Sequence, residues 1–479
     1  MLRVQLMGIK EMKLLKNASR VEPQKLGVSL VAVCFIFTMT FLSLSKPIVI
    51  PIPILGFHLS TDPFPTYPVA EGADGSQPAD GHENQTATQD TKPLCDFSDT
   101  RSDTCEMEGD VRIHGNSSSI LLVIPPQEAA SRREESWTIK PHARKGDPVA
   151  MRDVSAVSVH SLRGGATPPP PRCASHHSVP AVVFSTGGYM GNAFHDFTDV
   201  LIPLFLASRR HRGEVQFLVS EARAWWLSKF RPLLRELSRH EIVDFNADAA
   251  VRCYPSATVG LATHKEMSID PRRAPDGSSM PDFARLVRKS FQLERETAIK
   301  LGADGVQSKP RLLIIARRRT RRFENVDDIV GLAEGLGYEA VVAEADASSD
   351  LARFARVVNS CDVLVGVHGA GLTNLVFLPA NATVVQVVPL GGLEGIARAD
   401  FGGPALDAGL RYLQYSIGED ESTLADVYPK DHPVLRDPVS IHRQGWMALR
   451  GVYLDKQSVR LDVGRFKGQL VKALEFLHQ

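Results

Sequence analysis

The sequence has no excess charge of either sign: its 55 Lys and Arg balance 55 Asp and Glu. Bulk attraction to nucleic acid or to an anionic membrane surface therefore has no basis. No D-x-D triplet occurs in the chain, so nothing indicates an Asp-bound divalent metal holding a nucleotide diphosphate. H-E-x-x-H and paired C-x-x-C spacings are also absent, which leaves no zinc signature of either kind. Cysteine is scarce, six in 479 residues.

One long uncharged run is present. "LGVSLVAVCFIFTMTFLSLS", residues 26–45, has the length of a helix that crosses the hydrocarbon core. Arg3, Lys10, Lys13, Lys16, Arg20 and Lys25 precede it, against Glu11 and Glu22. Under the positive-inside rule, residues 1–25 form a cytosolic tail, 26–45 a type II signal anchor, and the body faces the lumen. The rival reading is a cleaved signal peptide. It fits less well, because the run is long and no small-x-small site follows it. Five cysteines lie beyond the run, in a compartment that permits disulfides. Cys95 and Cys105 enclose a short polar loop and are expected to pair, and Cys173 with Cys253 is the second expected pair. Cys361 reads as a free core thiol. Spacing alone does not fix this connectivity. Asn84, Asn116 and Asn381 head N-x-S/T sequons; a sequon at Asn17 would face the cytosol and stay bare.

Residues 46–92 are rich in Pro, Gly, Thr, Asp and Gln and keep no helical or strand period, as a flexible stem would. Length predicts two lobes, which we divide at 93–305 and 306–479. "SILLVIPP" and "AVSVHS" read as strands. From Val179 short apolar strands alternate with helices: "AVVFS", "NAFHDFTDVLIPLFLASRR", "VQFLVS", "ARAWWLSKFRPLLRELS", then "RLLIIA", "VDDIVGLAEGLG", "EAVVA", "DLARFARVVNSC", "VLVGV", "LTNLVFLP" and "TVVQVVPL". The alternation predicts two parallel, helix-covered sheets, an α/β architecture of two Rossmann-like lobes around a cleft.

Ligands of such sheets bind outside the carboxyl ends of the strands, and three polar stretches fall there. In "GVHGAGLTN" the glycines let backbone approach a ligand and the helix start suits a diphosphate; as a bland alternative this is a tight turn with a packed His368. "IARRRTRRFEN" has five arginines in six positions, whose forks match phosphate oxygens. Continued extension would put Arg317, Arg319 and Arg321 on one side, and a solvated basic loop is the alternative. "GGYMGNAFHDFTD" places His195 and Asp199 at i and i+4 on one helix face, with Asp196 turned about 100° away. This arrangement suits an imidazole held by a carboxylate as a positioned base, against a plain N-cap with surface polarity.

Together "GGYMGNAFHDFTDVLIPLF", "ARRRTRRFEN" and "GVHGAGLTNLVFLP" resemble the family 61 glycosyltransferases, in particular plant Golgi enzymes that decorate xylan. The resemblance runs on through "ESWTIKPHARK", "FGGPALDAGLRYLQY" and "DPVSIHRQGW" and covers nearly everything from Cys95 onward. It implies a GT-B fold, a UDP-sugar donor and an inverting transfer that needs no Asp-bound metal or other bound cofactor. The acceptor implied is xylan or a xylo-oligosaccharide. The relatives implied are xylan α-1,3-arabinofuranosyltransferases, with xylosyl-transferring members beside them. The motifs put donor contacts on Arg317, Arg321, Asn325, His368, Gly369, Ala370 and Gly371, extended along the turn to Thr373 and Asn374. Glu394 is expected at the uridine ribose or the sugar. Asn192 and His195 belong to the cleft, with Tyr189 beside Asn192 on the acceptor side. The base is then His195 oriented by Asp199, with Asp196 as rival; a neutral imidazole suits a mildly acidic Golgi lumen. One departure stands out: Gly395 follows Glu394 where close relatives are expected to carry tryptophan, which puts the identity of the donor sugar in question. A catalytically silent partner of another xylan-synthesis transferase and a transferase acting on a protein-linked sugar remain alternatives.

Overall fold

The computed structural model describes residues 94–128, 134–167, 169–302, 309–344 and 350–479. The expected tail, anchor and stem, with Asn84, lie outside the described residues. Among the described residues no helix is long and apolar enough to cross a membrane.

Two sheets organise the body. The first contains β1 (Cys95–Asp96), β2 (Thr104–His114), β3 (Ser119–Ile124), β4 (Ser136–Ile139), β5 (Val157–Arg163), β6 (Ser175–His176), β7 (Ala181–Ser185), β8 (Gln216–Ser220), β9 (Val243–Asp244) and β10 (Val251–Val259). Their order is β4-β5-β3-β2-β10-β7-β8-β9, with β1 on β2 and β6 on β10. Strands β7 and β8 are parallel, as the alternating pattern predicts, and β10 and β9 flank them in the same direction. Elsewhere directions mix: β5 is parallel to β3 and β6 to β10, but β2 runs antiparallel to both β10 and β3. The first sheet is therefore mixed rather than purely parallel. The physical reason lies in β2, "TCEMEGDVRIH", whose inward Cys105, Met107, Val111 and Ile113 alternate with polar residues. Such a half-buried strand has a period of two and no solid apolar run, so a search for apolar runs passes over it.

The second sheet is wholly parallel, in the order β12 (Glu339–Glu344), β11 (Arg311–Ala316), β13 (Val363–Val367), β14 (Thr383–Val388), β15 (Arg411–Ser416). Every residue of β13 and β14 is buried, as expected of strands covered on both faces. The connections reverse direction between β11 and β13. That switch point opens a crevice at the carboxyl ends of these two strands, where the arginine-rich loop and the His368–Gly371 turn emerge.

The two lobes share a core. Phe197 meets Phe230 at 5.9 Å and Phe283 at 6.2 Å on its own side, and Phe377 of the second lobe at 6.1 Å, all edge-on. Phe291 meets Phe377 at 5.4 Å. The same buried cluster takes in Val182 and Phe184 from β7 and Leu313 and Leu364 from β11 and β13. The cleft expected between the lobes is thus closed on one side by a common aromatic core and open only at the strand ends. Cys95 is bonded to Cys105 and Cys173 to Cys253, while Cys361 is buried and free. Asn116 and Asn381 are exposed.

Truncating the ring at the centre of this knot tests the shared core. Phe197→Ala should cost about 3–5 kcal/mol, read by urea denaturation, and both lobes should still unfold in one transition.

Candidate active site

After β7 the chain turns through Gly187, Gly188 and Gly191 into a helix. Gly191, at φ 91°, lies against the Trp225 ring, which a Cβ would approach to 3.0 Å. Asn192 caps the helix by accepting from the Phe194 amide at 3.2 Å. The first turn, Ala193–His195, then widens into a π turn at Asp196–Leu201 before α-helix resumes at Ile202–Ser208. Single π turns of this kind often sit at functional positions.

Within this turn the two aspartates diverge. Asp199 is fully buried, and its Oδ2 accepts from His195 Nδ1 at 2.9 Å and from Arg144 Nε at 2.7 Å. Burial works to raise its pKa, yet the bonds from His195 and Arg144 outweigh it and hold the carboxyl below its ordinary value. Because Nδ1 of His195 faces a carboxylate, the ring proton belongs there, and Nε2 is left as a free base. The Tyr189 ring lies 4.4 Å from the imidazole, and its hydroxyl donates to Asp147 Oδ2 at 3.0 Å. Asp196 is buried and points elsewhere, accepting from the Gly191 amide at 2.9 Å and Trp226 Nε1 at 2.8 Å, with Lys229 Nζ 3.5 Å away. Burial pushes its pKa up. Its Oδ1 takes both bonds and stitches the glycine loop to the next helix, while Oδ2 is buried without a hydrogen bond among the described residues, so neither oxygen is exposed to the cleft and the rival base is placed as a structural residue.

Arg144 continues the network. Its Nη2 donates to Glu266 Oε2 at 3.0 Å, and Arg101 holds the other Glu266 oxygen at 2.9 Å. Beneath them, buried His142 donates from Nδ1 to the Ser185 carbonyl at 3.2 Å.

Across the crevice, Arg317 Nε donates to the Thr320 carbonyl at 2.8 Å, folding the loop after β11. Arg321 adopts a left-handed backbone, φ 51°, and its Nη1 donates to the His368 carbonyl at 2.9 Å. The bend breaks the simple alternation: Arg319 is exposed, Arg318 pairs with Glu344 and Arg322 with Glu324. Only Arg317 and Arg321 turn inward. A Cβ on Gly369, where φ is 135°, would lie 2.5 Å from Arg321 Nη1 and 2.9 Å from Arg317 Nη1, so glycine is required for the guanidiniums to reach the turn. Among the described residues no carboxylate forms an ion pair with either arginine. Burial, together with Arg317's charge, brings Arg321 down to about 9, and burial lowers Arg317 as well. Two adjacent half-buried cations, with Asp455 acting on Arg321 from beyond ion-pair distance, form a site for an anion.

Beside them a cavity of about 690 Å³ is lined by Arg317, Gly191, Asn192, Ala193, Lys229, Ala370, Gly371 and Asn374, among others. Asn374 Nδ2 also closes the turn onto the Gly371 carbonyl at 2.8 Å, and Thr373 Oγ1 is buried without a partner. The segment Ala370–Phe377 is 3-10 rather than α-helix. His368 is buried; burial and the charges of Arg321 and Arg317 drive its pKa down to about 3, so it is neutral.

Two expected donor residues stand apart. Asn325 accepts from the Leu461 amide at 3.0 Å and donates to the Leu461 carbonyl at 2.9 Å. Its amide is thus fully engaged in fastening the C-terminal segment. Glu394 is exposed at the start of a four-residue helix and does not line the cavity. Conversely, Arg144, Glu266 and Asp400 join the site without having been singled out. Arg144 and Asp400 lie in "TIKPHARK" and "LEGIARADFG", stretches whose resemblance was visible but whose local pattern gives no role. As for metals, Cys173, His176 and Cys253 cluster among the described residues, but the two sulfurs form a disulfide and leave a lone imidazole.

Residues 193–385 match the family described as Glycosyltransferase 61. An alpha-1,3-arabinosyltransferase of Oryza sativa subsp. japonica is 48% identical over 412 residues, 86% of this chain and 70% of the relative. The chain belongs to glycosyltransferase family 61. A beta-1,2-xylosyltransferase of the same plant is 49% identical over 395 residues, 80% of this chain and 84% of its own length. A xylan glycosyltransferase of Arabidopsis thaliana is 35% identical over 399 residues, 81% and 80% of the two chains. In this family 61 glycosyltransferase the matched region begins at the helix of His195 and ends within β14. It therefore includes the imidazole, the arginine loop and the glycine turn.

Replacing Arg321 separates its electrostatic role from its packing. In Arg321→Met the buried uncompensated cation is gone, so the ligand-free protein should be stabilised by about 1 kcal/mol or more. The same variant should lose the thermal stabilisation that pyrophosphate gives the wild type. Thermal denaturation with and without pyrophosphate checks both.

Proposed function

We propose that this glycosyltransferase moves a pentosyl group, arabinofuranose in first place, from a UDP-sugar to xylan by a single inverting displacement. The observation that carries the proposal is the pair of half-buried guanidiniums, Arg317 and Arg321, over the Gly369 turn, with Arg317 lining one cavity together with Asn192 and Ala193 at the start of the helix that carries the His195–Asp199 pair. The two-sheet arrangement with its crevice at the β11/β13 switch point supports a GT-B organisation. The names of the arabinosyl- and xylosyltransferase relatives, and that of the xylan glycosyltransferase, support the pentose and the acceptor.

In this reading His195 Nε2 takes the proton from an acceptor hydroxyl. The hydroxyl oxygen bonds to the anomeric carbon from the face opposite the phosphate. The bond from that carbon to the phosphate oxygen breaks, and UDP leaves with the electron pair. Asp199 stabilises the imidazolium that forms, and Arg144 keeps Asp199 ionised so that the proton stays on the ring. Arg317 and Arg321 receive the charge that develops on UDP, the part a metal plays elsewhere; no divalent metal is needed on this view. Tyr189, stacked near His195, and Asn192 at the cavity wall face the acceptor side. We further propose a single-pass type II Golgi membrane protein with its catalytic body in the lumen; the charge pattern around residues 26–45 supports the anchor and its orientation.

Xylosyl transfer is the second reading. The name of the xylosyltransferase relative supports it, and Gly395, where close relatives are expected to carry tryptophan, puts the identity of the donor sugar in question; a Cβ there would meet nothing within 4 Å. A screen of UDP-arabinofuranose against UDP-xylose on xylo-oligosaccharides, with products read by NMR, decides between them.

For the chemistry, His195→Ala should lower turnover by about 10²–10⁴ while UDP still binds. Asp199→Asn should do less, and Asp196→Asn should act mainly on stability. Steady-state kinetics at matched folding checks this order. EDTA should leave UDP affinity, read by calorimetry, nearly unchanged; loss of binding restored by Mn²⁺ would overturn the metal-free mechanism.

A further inference from the structure

With Glu394 exposed and outside the crevice, nothing so far grips the transferred sugar. The diphosphate position constrains where that sugar lies. Arg321 donates to the carbonyl of His368, the residue immediately before the glycine turn. On the proposed diphosphate position, this contact puts the His368 ring among the groups that a transferred sugar can meet.

That ring has one nitrogen committed. Gln386 Nε2 lies 2.9 Å from His368 Nδ1, and Gln386 Oε1 accepts from the Tyr412 hydroxyl at 2.9 Å. The Tyr412 hydroxyl also reaches Gln414 Oε1 at 3.1 Å; with the Gln386 amide in this orientation Nδ1 is the acceptor and Nε2 carries the hydrogen. Nε2 has no hydrogen-bond partner among the described residues. The nearest carboxylate oxygen is Asp400 Oδ2 at 4.0 Å, too far for a bond. The gap is the right size for an oxygen standing about 2.8 Å from each, accepting from Nε2 and donating to the carboxylate. Asp400 makes no hydrogen bond of its own among the described residues, and its side chain is 25% exposed. It sits in the π turn Arg398–Gly402. The next residue, Phe401, packs at 5.7 Å on His368 and 5.5 Å on Phe194, the neighbour of His195. The carboxylate is therefore set from both lobes.

We propose that His368 Nε2 and Asp400 form the subsite that holds a hydroxyl of the transferred sugar, which makes Asp400 a specificity-determining residue of the donor site. This rests on the UDP-sugar reading above. Burial, with Glu266 nearby and Arg144 opposing, brings the Asp400 carboxyl up to about 7. The groups facing it are Glu266, Arg144 and His368. Since the ionised form accepts the sugar hydroxyl, the affinity advantage of UDP-sugar over UDP should shrink as pH falls through about 7.

Calorimetric titration of UDP, UDP-arabinofuranose and UDP-xylose into wild type and Asp400→Asn tests the subsite. The expected result is an unchanged Kd for UDP, with a loss of about ten- to hundredfold in affinity for the preferred UDP-sugar. The pH dependence of the sugar advantage should vanish in the same variant. An Asp400→Asn protein that keeps the wild-type ratio of UDP-sugar to UDP affinity would overturn the proposal. A folded wild type with no affinity for UDP would instead overturn the donor reading, and this subsite with it. Should Asp400→Asn not fold, Asp400→Ser gives the same comparison of ratios.

Discussion

The site depends on one electrostatic constraint: two half-buried guanidiniums are held side by side, and no carboxylate among the described residues forms an ion pair with either. Arg317 and Arg321 repel one another and are desolvated, an arrangement that persists only because the fold imposes it. The Thr320 and His368 carbonyls hold their donors, the left-handed backbone at Arg321 aims the second guanidinium inward, and Gly369 leaves room for both. An anion relieves that repulsion when it binds. Leaving-group charge develops in transfer from a nucleotide sugar, so the same repulsion favours the transition state over the empty site.

The aromatic knot around Phe197 gives this constraint its rigidity. Phe197 belongs to the helix that carries His195 and Asp199, and it packs on Phe377 at the end of the turn that begins with Gly369 and Ala370. The proposed base and the anion cradle are thus attached to opposite sides of one packed cluster rather than to two bodies free to swing apart. The buried Asp196 serves the same end by tying Gly191 and Trp226 to the start of that helix. The two neighbouring aspartates, three residues apart, have separate tasks because the π turn sends their side chains in different directions.

Much of the site was legible in the sequence because its parts are local. The His195–Asp199 spacing, the glycines of 369–371 and the arginine run follow from helix periodicity, turn chemistry and residue type. Strands β11 to β14 of the second sheet were readable as apolar runs, whereas β15, "RYLQYS", was not. Elsewhere local pattern misled. Extension predicts Arg317, Arg319 and Arg321 on one side; in the fold the bend at Arg321 leaves Arg319 exposed, and Arg318 and Arg322 find acids on the surface. Asn325 looks like a donor ligand, yet Leu461, far along the chain, takes both ends of its amide.

By itself, then, the sequence determined the strand–helix alternation, the residue types at the strand ends and membership in a glycosyltransferase family, since each is written in contiguous stretches. Tertiary structure decided which charges remain unpaired. A guanidinium or carboxylate is a surface group, a strut or a ligand site according to whether a partner from a distant segment reaches it. Arg144 meeting Asp199, Glu266 meeting both Arg101 and Arg144, and Asp400 standing 4.0 Å from His368 without a bond are relations between segments that no local period encodes. Pairing is settled by distance and burial in the folded chain, because the cost of an unpaired charge exists only once water has been excluded.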